Sequence, residues 1–164
     1  MHSKIIEIVG GLDKPIRKKD WAKATDLPEH FVGGIADYTD DVSDKQAKEV
    51  KDSFVQYFGD HCVREGNWIT FDVEAKKMNE EGRYRDFIEK AKAVAALSFD
   101  TFCGLGDTAV MDHLIWELND KYNDQFSLYI FNSAEEDLLT FDEWKRKLQP
   151  GERYFMGGVM DYHW

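Results

Sequence analysis

Phe126-Ser127-Leu128-Tyr129-Ile130-Phe131 is the most strand-like run in the chain, with five of six residues aromatic or aliphatic. Such side chains fit a pleated, buried backbone. Upstream, Val110, Met111, Leu114, Ile115 and Leu118 recur at helical spacing, and Asp107 or Thr108 is placed to cap a helix over Thr108–Tyr122. Downstream, Thr140-Phe141-Asp142-Glu143 has the form of a capping box. The helix it opens places acids first and Lys145, Arg146 and Lys147 last, which suits the helix dipole. Pro150-Gly151 ends it, and Arg153–Met160 returns as a strand in which Gly157-Gly158 predicts a bulge or a close backbone approach.

The earlier chain repeats this mixture. Ile5–Val9 reads as a short strand stopped by Gly10-Gly11, and a short helix is expected over about Ile16–Ala24. Phe31–Tyr38 reads as a loop or helical turn packed on the core. Ser43 and Gln46 form a second capping box, and Ala47, Val50, Phe54, Tyr57 and Phe58 share one face of a helix that Gly59 stops. Cys62-Val63 and Trp68–Phe71 read as a hairpin around Glu65-Gly66-Asn67. A helical region is expected over Val73–Leu97, interrupted near Gly82. Helices and short strands alternate without a regular βαβ period, so the chain is expected to be an α+β protein. It would form a single globular domain over residues 1–164, with three or more helices packed on a small, mostly antiparallel sheet. The Ser43–Phe58, Tyr84–Leu97 and Thr108–Tyr122 helices are expected to surround that sheet, which would bury both Phe54 and Ile115.

Charge is the other informative feature. The chain carries a formal charge of −11, and between Ser98 and Glu143 eleven carboxylates face a single cation, Lys121. Aromatic residues are interleaved with these acids, so the segment is expected to fold and display its carboxylates on an ordered surface. Such a surface repels nucleic acid and lipid headgroups and attracts basic partners. The only basic triplets, Arg17-Lys18-Lys19 and Lys145-Arg146-Lys147, are too short to neutralise a phosphate backbone.

Motifs for chemistry are weak. The five histidines, His2, His30, His61, His113 and His163, never stand four apart, and Cys62 and Cys103 have no metal-ligand spacing. Asp37-x-Thr39-x-Asp41-x-Ser43 imitates the start of a calcium loop but lacks its glycine and its closing glutamate. Gly104-Leu105-Gly106-Asp107-Thr108 has no lysine after its glycines and fails as a phosphate loop. No cofactor or metal is expected. Without an export signal or a run long enough to span a bilayer, a cytoplasmic location with reduced cysteines is expected.

Two functions follow from these residues. The first is a non-enzymatic interaction module docking its acidic surface on a basic protein surface, with Glu135, Glu136 and Asp137 as the partner-binding set because they are contiguous between a strand and a helix. The alternative is a small enzyme with a cleft near Cys103 and His113, where a helix N-terminus would activate the thiol. In size, acidity and aromatic content, and in the segment Phe31-Val32-Gly33-Gly34-Ile35-Ala36-Asp37-Tyr38, the chain resembles small uncharacterised proteins of bacterial phages and mobile elements. Some small acidic proteins of that kind inhibit restriction or CRISPR nucleases as nucleic-acid mimics. That resemblance implies a basic, nucleic-acid-binding partner and transfers no site residues.

Overall fold

The computed structural model describes residues 2–164. Its spine is two strands, β1 (His2–Gly10) and β7 (Arg153–His163), paired antiparallel from His2 opposite His163 to Gly10 opposite Tyr154. The outer edge of β7 is shared by two short strands. There β2 (Tyr38–Asp41) pairs with residues 160–163 and β4 (Trp68–Phe71) with residues 153–155. Hairpin partner β3 (Cys62–Glu65) joins β4 around Gly66, whose φ of 65° fits the turn expected there. On the other side, β1 pairs parallel with β5 (Tyr129–Asn132), which pairs antiparallel with β6 (Asp137–Thr140). The sheet has seven strands and one parallel pairing, so it is mostly antiparallel, and with its helices it makes an α+β fold.

By internal packing the chain divides into two compact units, Met1–Met78 with Phe126–Trp164, and Asn79–Gln125. In the first, both sheet faces are covered. Alternation along the strands sends Ile6, Ile8, Ile130 and Met156 to one side, where α1 (Asp44–Phe58) and α5 (Phe141–Lys147) bring Phe54, Phe58 and Trp144. Ile5, Tyr129, Phe131, Met160 and Tyr162 face the other side, under Ala22, Leu27, Phe31 and Ala36. The Phe31–Tyr38 segment is thus a turn packed on the core, as its apolar residues indicate. Ser43 and Thr140 both cap as expected, each accepting from the amide three residues on while Gln46 and Glu143 reach back. The helix expected over Ile16–Ala24 is instead two single 3-10 turns, Lys18–Asp20 and Ala24–Asp26.

Gly157-Gly158 marks a bulge. The β1–β7 register shifts between Ile6 and Ile8, and Glu7, fully buried, lies against the glycine pair. A Cβ on Gly157 would lie 1.9 Å from Glu7 Oε2, and one on Gly158 would lie 2.0 Å from the Ala22 carbonyl.

The second unit contains α2 (Glu80–Ala95), the short α3 (Phe99–Phe102) and α4 (Thr108–Asn123). The break ahead of α2 falls at Asn79, in the left-handed region at φ 60°, rather than at Gly82. Helices α2 and α4 are held together by Lys90 and Glu117 at 2.7 Å and by Arg83 donating to the Lys121 and Tyr122 carbonyls. None of the three helices contains a buried residue, and Ile115 is 44% exposed. The expected core position of Ile115 is therefore corrected. Helical spacing reveals that a face is apolar and does not reveal what covers it.

Candidate functional site

The parallel strands β1 and β5 end side by side at Gly10 and Asn132. At their carboxyl ends a cavity of about 380 Å³ opens between the sheet and α5. Its floor is apolar, from Ile8, Ile130, Leu139, Trp144 and Leu148. Polar groups enter around two connections. Asn132 ends β5, Glu135 lies in the turn after it and Asp137 starts β6. Lys147 ends α5, Gln149 and Glu152 lie in the loop that follows, and Tyr154 belongs to β7.

Each position has a local cause. Asn132 Oδ1 accepts from the Ala134 amide and its carbonyl from the Glu135 amide, which folds the turn and projects Glu135. Glu136 takes the left-handed conformation at φ 54°, and Asp137 then starts β6. The expected trio is thus divided. Glu135 and Asp137 line the cavity and Glu136 does not. Lys147 lies 3.5 Å from Asp137. Across the opening, the Tyr154 hydroxyl accepts from the Gln149 amide at 2.8 Å and donates to Glu152 Oε2 at 3.1 Å. Burial, reinforced by the Glu152 charge, pushes the Tyr154 phenol up to about 12. The other Glu152 oxygen is close enough to Gly10 that a Cβ there would lie 2.8 Å from it.

Three carboxylates and one ammonium therefore surround an apolar floor. Among the described residues, no serine, cysteine or histidine lines the cavity. Glu152 and Tyr154 were not legible as site residues. The one signal was Gly10-Gly11, a pair that permits close approach of another side chain.

The other candidate centres lie elsewhere. Cys103 is exposed at the C-terminal cap of α3, five residues before α4 begins. His113 is exposed on α4, 3.7 Å from Glu117 and stacked on Trp116. Neither lines this cavity or the smaller one at Val63, Glu65, Trp68, Thr70 and Arg153. Cys62 is buried, which pushes its thiol up to about 11. The calcium-loop imitation at Asp37–Ser43 is extended chain. Asp41 accepts from the Ala24 amide, and Ser43 is the α1 cap. Among the described residues no group of three or more histidine, cysteine or acidic side chains is placed to hold a metal ion. No helix among the described residues is long and apolar enough to cross a membrane.

The acidic stretch is also redistributed. Asp100 to Asp124 belong to the helical unit, and Glu135 to Glu143 to the sheet unit. No protein-family model, curated protein or solved structure matches the chain.

Proposed function

We propose that the protein is a non-enzymatic interaction module whose cavity at the carboxyl ends of β1 and β5 receives a cationic side chain from a basic protein surface. One observation carries this reading: Glu135 and Glu152 both face the cavity, and among the described residues no cation lies within ion-pairing distance of either. An alkyl ammonium or guanidinium sets its charge between these carboxylates and its methylene stem on the Trp144 and Leu148 floor. The narrower form of the reading, suggested by the resemblance to small acidic phage and mobile-element proteins, some of which inhibit nucleases, is that the basic surface is one that otherwise holds DNA or RNA.

The test is a titration with a fluorescent arginine-rich peptide lacking an apolar face. Replacing Glu135, Asp137 and Glu152 together with lysine should weaken binding by at least about tenfold, as expected for losing charge-assisted contacts. Reversing Asp100 and Asp112 instead should change it by less than about twofold. Equal affinities for the wild type and the triple variant would overturn the proposal.

A further inference from the structure

The helical unit 79–125 is under a third of the chain, yet it holds eight of the twelve large hydrophobic side chains exposed among the described residues. Phe99, Phe102 and Leu105 are 77%, 71% and 79% exposed. Helix α4 adds Ile115, Trp116 and Tyr122, each at least 44% exposed. With 3.6 residues per turn, positions 112, 115, 116, 119 and 122 form one stripe along α4. That stripe is apolar at three positions and acidic at Asp112. Its opposite side is engaged with α2 through Glu117 and the Lys121 and Tyr122 carbonyls, and the Tyr122 ring, at the margin of the stripe, packs against Phe87 of α2. An amphipathic helix normally has one apolar side, and soluble monomers rarely leave such a patch uncovered.

Charge decides what fits the stripe. Residues 98–125 carry six acids and one lysine. A second copy would bring the same sign of charge to the contact, and lipid headgroups and nucleic acid are repelled for the same reason. A helix with leucine-like residues on one side and lysine or arginine flanking them satisfies both features. We infer that the exposed α4 stripe, with Phe99 and Phe102 of α3, docks a basic amphipathic helix of a partner protein. Ile115 and Trp116 serve as anchors, and Asp100 and Asp112 meet the flanking cations. The inference does not rest on the cavity reading, because none of these residues lines the cavity.

The probe is an 18-residue peptide of leucine and lysine with leucines at i, i+3, i+4 and i+7, compared with the same peptide carrying glutamate for lysine. Calorimetry on the full chain should detect the lysine peptide and not the glutamate peptide. Trp116→Ala, at a half-exposed position, should weaken binding by about 30-fold, the scale of an aromatic hot spot. Lysine at Glu135, Asp137 and Glu152 should leave it within about twofold. Hydrogen exchange of the wild type needs no variant, and the peptide should slow exchange over residues 99–123 and not over 129–148. Equal binding of both peptides, an unchanged affinity in Trp116→Ala, or protection confined to 129–148 would overturn the inference. So would sedimentation showing that the free protein is a dimer which Trp116→Ala dissociates, since the stripe would then be filled by a second copy.

Discussion

Glu7 and Gly158 are joined across the bulge between β1 and β7, the Gly158 amide donating to Glu7 Oε2 at 2.7 Å. The same oxygen accepts from the Ala22 amide at 2.9 Å, and Oε1 accepts from the Ser133 hydroxyl. A fully buried carboxylate is tolerable only when its oxygens are occupied in this way. It ties the central strand to two distant segments.

Removing that carboxylate should be costly. Glu7→Ala strands two buried amides and a hydroxyl and should lose about 3–5 kcal/mol in urea denaturation. Glu7→Gln should cost less, because its oxygen can keep both amide bonds while its NH₂ group donates to Ser133. Gly157→Ala should resemble Glu7→Ala, since its methyl occupies the carboxylate's space. Equal curves for Glu7→Ala and wild type would refute this account.

The two apolar positions expected to behave alike should now differ. Phe54 is 5% exposed and packs against Phe58, Phe71, Phe141 and Trp144. Phe54→Ala should cost about 3–5 kcal/mol. Ile115→Ala removes a partly solvated side chain and should cost under about 1 kcal/mol. Comparable losses in thermal or chemical denaturation would mean that Ile115 is covered.

These outcomes mark what the sequence could express. Local signals were legible because their partners are near in the chain. The caps at Ser43 and Thr140 and the Gly66 hairpin each need only a few neighbours. Glu7 was not legible, because an acid in an apolar strand looks the same whether it meets water or the Ala22 and Gly158 amides. Lys145 misled in the opposite direction. It suits a helix end by charge, yet it is buried, donating to the Met78 carbonyl at 2.7 Å. The β6 strand hid inside a polar stretch, and β2 hid among acids at an edge. For the candidate site, Glu135 and Asp137 were found from charge. Tyr154 comes from β7, whose pairing with β1 sets it opposite Gly10, and Glu152 lies just before that strand.

Lys51 should give the protein an alkaline rise in stability. Its ammonium sits 4.1 Å over the Trp21 ring and donates to the Met156 carbonyl in the gap that β2 and β4 leave along β7. Burial, with the nearby Arg64 charge, pushes it down to about 8 from the ordinary 10.5. Between these values the unfolded chain binds the extra proton, so native stability grows as pH rises. Cys62 opposes this from about pH 9, where the unfolded thiol ionises first. Urea midpoints from pH 7.5 to 9 should therefore climb in the wild type relative to Lys51→Met. Parallel profiles would show that Lys51 does not titrate in this window.

Tyr154 should produce the opposite slope at higher pH, and it ties stability to the cavity. Its phenol, pushed up to about 12 from 10.0, stays protonated in the folded protein while the unfolded phenol ionises. The native state then binds more protons, and stability falls as pH rises from about 10 towards 12. Tyr154→Phe deletes the hydroxyl that accepts from Gln149 and donates to Glu152. At neutral pH the loss should be about 1 kcal/mol, the scale of one net hydrogen bond, because the Gln149 amide loses its acceptor. Above pH 10 the variant's curve should flatten relative to wild type. If Glu152 is held for a cation by this hydroxyl, the arginine-rich peptide should also bind Tyr154→Phe more weakly, while a leucine–lysine helix binds as before. A variant with unchanged neutral stability and the wild-type alkaline slope would mean that the Gln149–Tyr154–Glu152 chain does not hold the cavity rim.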